Sequence, residues 1–132
     1  MKQIDVTVSR QGQDFRFSYS GDADADGQIE VRGNRAVHLQ FTASPGSGVK
    51  AVRFATDPEH ALKVGDRDDP GCPPTTDSAQ FDDKKRPHEN VVSIRDRKTE
   101  AGEYHYMLNF LVVPSGQSEE VAASDDPVII NK

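Results

Sequence analysis

The longest alternating run of the chain reads Glu100-Ala101-Gly102-Glu103-Tyr104-His105-Tyr106-Met107-Leu108-Asn109-Phe110-Leu111-Val112-Val113. One face of this run carries Tyr104, Tyr106, Leu108, Phe110 and Val112. The other face carries Glu103, His105, Met107 and Asn109, and the run becomes apolar on both faces only at Leu111 and Val113. Successive side chains of a β-strand point to opposite faces, so this period of two predicts a strand with one face in a hydrophobic core. Its length indicates that it crosses the core from end to end, and we expect it to be the central strand.

Shorter alternating runs on either side of it predict further strands. Ile4, Val6 and Val8 share one face of a first strand, and Phe15, Phe17 and Tyr19 share the inner face of a second strand across the polar turn at residues 11–14, which is the pattern of a β-hairpin. Other short runs lie at residues 29–31, 37–41, 49–55, 91–95 and 128–130. About eight strands without a long helix predict an all-β fold, an antiparallel two-sheet sandwich.

A long polar segment interrupts this alternation at residues 56–90. It holds five of the eight prolines and seven aspartates. Because proline has no N–H for a strand ladder, we expect a long irregular loop within a single domain that spans residues 1–132. Loops of this length are more often functional or mobile than idle.

Charge and composition exclude several classes of function. The formal net charge is −6, from 22 acidic and 16 basic residues. Nucleic acids and anionic membranes both select clustered Lys and Arg, so we expect neither as a partner. The N-terminus alternates instead of forming the apolar run of a signal peptide, and the chain has one cysteine, Cys72, which fits a reducing compartment. The sequence therefore predicts a cytoplasmic protein.

An acidic turn supplies the one recognisable ligand motif. Asp22, Asp24 and Asp26 alternate and are followed by Gly27, which resembles the first half of an EF-hand-type calcium loop. The twelfth position of that loop requires a bidentate Glu and is Gly33 here, which leaves Glu30 as the nearest further carboxylate. The alternatives are a calcium site and a solvated Asp/Gly-rich turn.

Cys72 and the histidines allow two other kinds of site to be weighed. A zinc site would use Cys72 with His60 and His88, but the spacing matches no zinc motif. A cysteine nucleophile would need His60 or His88 as its base, while Pro73-Pro74 removes the backbone donors that lower a thiol pKa. The sequence therefore predicts no catalytic residues and no enzyme.

The segment Glu100 to Tyr106 resembles the tyrosine corner of immunoglobulin-like sandwiches. The resemblance implies that Gly102 leads into the corner and that the Tyr104 hydroxyl binds backbone there. Tyr106 stands where antibody domains carry a cysteine, and the chain has no Trp. What the resemblance implies is the sandwich architecture and no antigen-type function.

Two further resemblances cover this segment and the whole chain. The pattern Gly102-x-Tyr104-x-Tyr106 is similar to the strand before the copper loop of cupredoxins, yet a blue-copper site would need Cys72 beside two histidines, and Cys72 lies far upstream. A small all-β chain that ends in Asp-Pro-Val-Ile-Ile-Asn resembles the bacterial DP-EP family of uncharacterised proteins, which implies a bacterial origin and no particular function.

The leading hypothesis is a non-enzymatic sandwich that acts in protein recognition or self-association. The loop at 56–90 offers His60, Cys72, Phe81 and His88 as contact residues. The apolar strand at 128–130 would serve as an edge that pairs across a two-fold axis into a homodimer. The alternative is a calcium-stabilised domain, with calcium as the one cofactor considered.

Overall fold

A computed structural model describes residues 1–65, 81–98 and 101–132 and confirms the all-β two-sheet sandwich. The elements are β1 (Lys2–Gln11), β2 (Asp14–Gly21), β3 (Ile29–Val31), β4 (Val37–Pro45), β5 (Val49–Phe54), α1 (Pro58–Ala61), β6 (Leu62–Val64), β7 (Phe81–His88), β8 (Val91–Asp96), β9 (Gly102–Pro114), β10 (Val121–Asp125) and β11 (Val128–Asn131).

The first sheet has the strand order β2-β1-β4-β8-β7. Its pairs are antiparallel except β1 and β4, which run parallel with Ile4 opposite Phe41. The sequence had predicted antiparallel pairing throughout. The parallel pair arises because the chain crosses to the other sheet through β3 before it returns as β4.

The second sheet is built around β9. Both β10 and β5 pair with residues 110–112 of β9, so they lie on its opposite edges. After Asp126 and Pro127, β11 continues along the same edge of β9 as β10, in unchanged register. After α1, β6 continues along the edge of β9 with which β5 pairs. The predicted central strand is therefore confirmed. Beyond β11, β3 pairs with it in parallel.

The core lies between the two sheets. The alternate residues of β9 from Tyr104 to Val112 are all buried, as the period of two predicted. Phe110 stacks on Phe54 at 5.0 Å between ring centroids, and Phe41 lies 5.4 Å from Tyr106 across the sandwich.

The prediction of one irregular loop over residues 56–90 is wrong in extent, since its described parts contain α1, β6 and β7. Two register shifts and the run Lys84-Lys85-Arg86 disguise the alternation of β7. Phe81, assigned to the loop surface, is buried in the core with its ring edge-on to Tyr104 at 5.2 Å. Cys72 lies outside the described residues.

The apolar strand near the C-terminus is not an edge either. It forms β11 and lies between β9 and β3, with Ile129 fully buried. Both of its sides already carry strands, so this segment offers no free edge for pairing across a two-fold axis.

One carboxyl group is buried at the end of β8. Asp96 Oδ1 accepts hydrogen bonds from the Lys98 N–H at 2.9 Å and from Asn131 Nδ2 at 3.1 Å. Burial, which outweighs these bonds, raises the pKa of Asp96 above its ordinary 3.8. The folded state therefore holds this proton more tightly than the unfolded state does.

Asp96 should make the protein lose stability as pH rises from about 4 through the raised pKa, because the folded chain must then bury a charge. Asp96→Asn keeps the acceptor oxygen and removes the charge. The difference in free energy of unfolding between pH 4 and pH 7 should therefore become smaller, by about 1.4 kcal/mol for each pH unit by which the pKa of Asp96 is raised. Urea unfolding at pH 4 and pH 7 measures it, with Asp5→Asn on an exposed carboxylate as the control. An unchanged pH dependence in Asp96→Asn would contradict the assignment.

Candidate functional site

Two stacked sheets leave a gap along each side where their edge strands face each other, unless contacts join them. On the side that contains β7, such contacts are present. The N–H of Phe54 donates to the Glu89 carbonyl at 2.8 Å, and Arg86 Nη2 donates to the Phe54 carbonyl at 3.3 Å. Lys84 Nζ lies 3.4 Å from Glu59 Oε2 at the start of α1. These contacts join the edge of the first sheet to β5 and α1.

The edge of β7 is also protected against pairing with another chain. It carries the run Lys84-Lys85-Arg86 followed by Pro87, and its register with β8 shifts twice. Lysines, prolines and bulges are the devices by which natural sheets prevent edge-to-edge association. This side of the molecule is unsuited to receiving a strand.

The opposite side lies between β2 and β10, the edge strands of the two sheets. The Tyr19 hydroxyl donates to Asp125 Oδ2 at 2.7 Å, and Phe17 stacks on Phe110 at 5.6 Å. Within the described ranges, β2 pairs with β1 alone and β10 with β9 alone. We call this region, between β2 and β10, the open side.

Apolar side chains of the open side point inward and yet remain exposed to solvent. Phe15 and Phe17 are half-buried, although their strand neighbour Tyr19 is buried. Val121 sits opposite the buried Val112, on the inner face of the second sheet, and is 40% exposed. Inward-facing residues stay accessible here because no described strand covers them. A groove of about 450 Å³ lies beside them, lined by Phe15, Arg16, Phe17, Ser18, Asp26 and Asp125.

In the described ranges, no strand pairs with the backbone of β2 along this side. On β1, the Gln3 carbonyl accepts from Asp22 on the β2 side, whereas the Val8 carbonyl accepts from Gly46 on the β4 side. Backbone N–H and C=O groups alternate in direction along a strand, so the odd-numbered residues of β1 form their backbone hydrogen bonds with β2. Their partners are the even residues of β2. The N–H and C=O groups of Phe15, Phe17 and Tyr19 therefore point outward.

The same alternation applies to β10. The Tyr106 N–H donates to Pro127 on one edge of β9, and the Asn109 carbonyl accepts from Ala55 on the other. The even residues of β9 thus bond β10, where register pairs them with odd residues. Ala122 and Ser124 accordingly direct their backbone groups outward.

Charge is distributed unevenly along the groove. Asp26 and Asp125 lie at the Tyr19 end, whereas the Arg10 guanidinium stands 5.5 Å from the ring centre of Phe15 at the other end. Burial, and then the bond to Asp125, raises the pKa of Tyr19 far above its usual value, so its hydroxyl remains a donor. The Tyr19 end of the groove suits a cation.

The carboxylates predicted to bind calcium are divided between different places. Asp24 Oδ1 accepts from the N–H groups of Asp26 at 3.0 Å and Gln28 at 2.9 Å, and Asp22 Oδ2 accepts from the Gln3 N–H at 2.8 Å. These bonds shape the turn and fasten it to β1. Asp26 lines the open-side groove instead, while Asp22 and Asp24 line another groove near the N-terminus.

Glu30, the fourth predicted ligand, lies with cations. Its carboxylate is 3.2 Å from Lys132 Nζ and 3.2 Å from Arg32 Nη2, and the hydrogen bond from Lys132 is the main reason that its pKa is lowered. In residues 1–65, 81–98 and 101–132 no three His, Cys, Asp or Glu side chains are grouped closely enough to hold a metal ion. The hydrogen bonds of Asp24 account for the shape of the turn, and calcium binding there stays a prediction.

The other predicted contact residues do not form a described site. His60 is exposed on α1, with Nε2 3.9 Å from Asp57 Oδ2, and His88 is exposed at the end of β7. Since Cys72 lies outside the described residues, the predicted grouping of these three is not tested.

A tyrosine hydroxyl does bind backbone at the end of β9, and the residue is Tyr106. It donates to the Gly27 carbonyl at 2.5 Å in a buried position. Gly27 has φ of +87°, and a Cβ there would lie 2.9 Å from Pro127 and from Tyr19. The acidic turn is thereby fixed to the core beside the open side. Tyr104 is buried, and its role as the corner residue, led into by Gly102, stays a prediction.

Sequence reasoning missed the open side. Phe15 and Phe17 were predicted to be inward-facing, but their exposure depends on which strands are edges, and that information is absent from a local pattern. The signal that could have found β10 is Val121 between Glu120 and Ala122, an apolar residue in a segment with neither Lys nor Pro.

A scan against models of protein families finds no match, and a search of curated proteins finds no significantly similar sequence. In the part of the chain that the structure describes, no helix is long and apolar enough to cross a membrane.

Asp24→Ala should lower the free energy of unfolding by about 1 kcal/mol, because two backbone N–H groups lose their acceptor. We expect the same loss in EDTA and in calcium chloride, measured by thermal unfolding, and little effect from Asp26→Ala as the matched control. A rise in melting temperature with calcium that Asp24→Ala abolishes would instead support a calcium site.

Proposed function

We propose that this chain is a non-enzymatic protein-recognition domain that binds an extended segment of a partner protein along its open side. The observation that carries the proposal is the exposure of Val121 and the partial exposure of Phe15 and Phe17, which point into the sandwich but are covered by no strand in the part of the chain that the structure describes. Burial of such apolar surface by a partner contributes about 25 cal/mol of favourable free energy for each Å² removed from water. A partner that covers them completes the core.

An extended segment fits this side better than a compact surface does. Two edge strands border it, and both present outward backbone groups, at Phe15, Phe17 and Tyr19 on β2 and at Ala122 and Ser124 on β10. Addition of a strand to a free edge supplies main-chain hydrogen bonds and places alternate side chains against the core. The contrast with the protected edge of β7 supports the choice of this side.

The proposed occupant is a different protein and not a second copy of this chain. The net charge of −6 makes two copies repel each other, and Asp26 and Asp125 would bring further like charge into the contact. The alternative is self-association, in which a second copy of this chain would occupy the open side and a homodimer would be observed.

Substitution of adjacent residues of β10 tests the open side directly. Val121 faces inward and Ala122 faces outward on the same exposed strand, so Val121→Gln and Ala122→Gln form a matched pair. Twelve-residue peptides selected from a random display library on the wild-type protein should show alternating apolar residues. They should bind Val121→Gln at least about tenfold more weakly, which corresponds to about 1.4 kcal/mol of lost burial, and Ala122→Gln nearly as tightly as wild type.

Selected peptides that bind both variants as tightly as wild type would contradict the proposal, as would a selection that yields no binders. Sedimentation of the three proteins separates the two occupants. A stable wild-type dimer that Val121→Gln dissociates would assign the open side to self-association and overturn the choice of a different protein.

A further inference from the structure

Of the two edges on the open side, β2 is the better acceptor for a strand. It is eight residues long against five for β10, and it pairs with β1 without a register shift. Its outward backbone groups belong to Phe15, Phe17 and Tyr19, whose side chains point inward. A strand added here would lie directly beside the half-buried Phe15 and Phe17.

We infer that the partner segment adds to β2 as an antiparallel strand with apolar residues opposite Phe15 and Phe17 and a basic residue opposite Tyr19. This inference rests on the proposed function and specifies the partner's chemistry. It makes the first sheet six-stranded and extends it over the uncovered rim of the core.

The backbone pattern determines which partner residues face inward. In an antiparallel pair, directly opposite residues share a face of the sheet, and every second opposite pair exchanges both of its hydrogen bonds. Phe15, Phe17 and Tyr19, whose backbone groups point away from β1, would form these hydrogen-bonded pairs. Residues opposite Phe15 and Phe17 would therefore donate to β2 and also direct their side chains toward the core. Close cross-strand pairs of aromatic and β-branched side chains are favourable, which suits Val or Ile at these positions.

The charges determine where the basic residue falls. Asp26 and Asp125 lie at the Tyr19 end of the groove, and Arg10 covers Phe15 at the other end. Asp125 already accepts from the Tyr19 hydroxyl at 2.7 Å, and Asp26 is exposed. A partner Lys or Arg opposite Tyr19 would meet two carboxylates, whereas one opposite Phe15 would meet a guanidinium.

The probe is a capped, fluorescently labelled peptide, Thr-Lys-Thr-Val-Thr-Val-Thr, whose Lys and two Val residues fall opposite Tyr19, Phe17 and Phe15 in the antiparallel arrangement. We expect saturable binding by fluorescence anisotropy. N-methylation of the Lys and Val residues removes the donors that face β2 and should abolish binding, because an N-methyl amide cannot donate. N-methylation of three of the four Thr residues, whose N–H groups point away from β2, should leave binding within about twofold.

Charge reversal supplies the second arm. Asp26→Lys should weaken binding of the probe at least about tenfold and should restore binding of a probe in which Glu replaces Lys. Glu103→Lys makes the same change of charge on the exposed outer face of β9 and should have little effect. Thermal unfolding of both variants confirms that they remain folded.

Equal effects of the two N-methylated sets, or no difference between Asp26→Lys and Glu103→Lys, would overturn the inference, as would a probe that does not bind. If the library peptides still lose affinity for Val121→Gln in that case, the proposed function remains supported, but the partner segment adds at a position other than the edge of β2. Failure of both experiments would remove the proposed function as well.

Discussion

The structure depends on the pairing of β9 along both of its edges. β10 and β11 follow one edge, and β5 and β6 follow the other, so that one thirteen-residue strand organises four other segments of chain. Its inward residues from Tyr104 to Val112 form the middle of the core. The hydroxyl of Tyr106 also fixes the acidic turn, through Gly27, to the same strand.

This central position gives the two sides of the sandwich different properties. On one side β5 and α1 meet β7 through backbone and charged contacts, and the edge of β7 carries cations, Pro87 and register shifts. On the other side β10 ends the second sheet and β2 ends the first, with Tyr19 and Asp125 as the polar link between them. The side with β7 is protected against association, whereas on the other side no described strand covers the inward-facing apolar residues, which is why we propose recognition at the open side.

The sequence predicted those features that depend on local alternation. The run from Tyr104 to Val112 identified both the central strand and its buried face. It did not predict β7, because the cations Lys84, Lys85 and Arg86 and two register shifts hide the alternation of this edge strand. It did not predict the parallel pairing of β1 with β4, since the order of strands is set by contacts between distant segments.

The candidate site was less predictable for the same reason. Asp22, Asp24 and Asp26 looked equivalent in the sequence, but the turn directs Asp24 to backbone N–H groups and Asp26 to the groove beside Phe17. Phe15 and Phe17 were expected to be inward residues of a hairpin, and only the position of β2 at the edge of its sheet reveals that they are partly uncovered. Local patterns specify which face a residue occupies, whereas tertiary arrangement decides what covers that face.

The central claim is that β2 has a free edge, and amide hydrogen exchange of the full chain by NMR measures it most directly. The account predicts that the outward N–H groups of Phe15, Phe17 and Tyr19 exchange at least about tenfold faster than those of Arg16 and Ser18, which are bonded to β1 in the same strand. Equal protection of both sets in the free protein would show that the edge of β2 is already covered and would contradict the account.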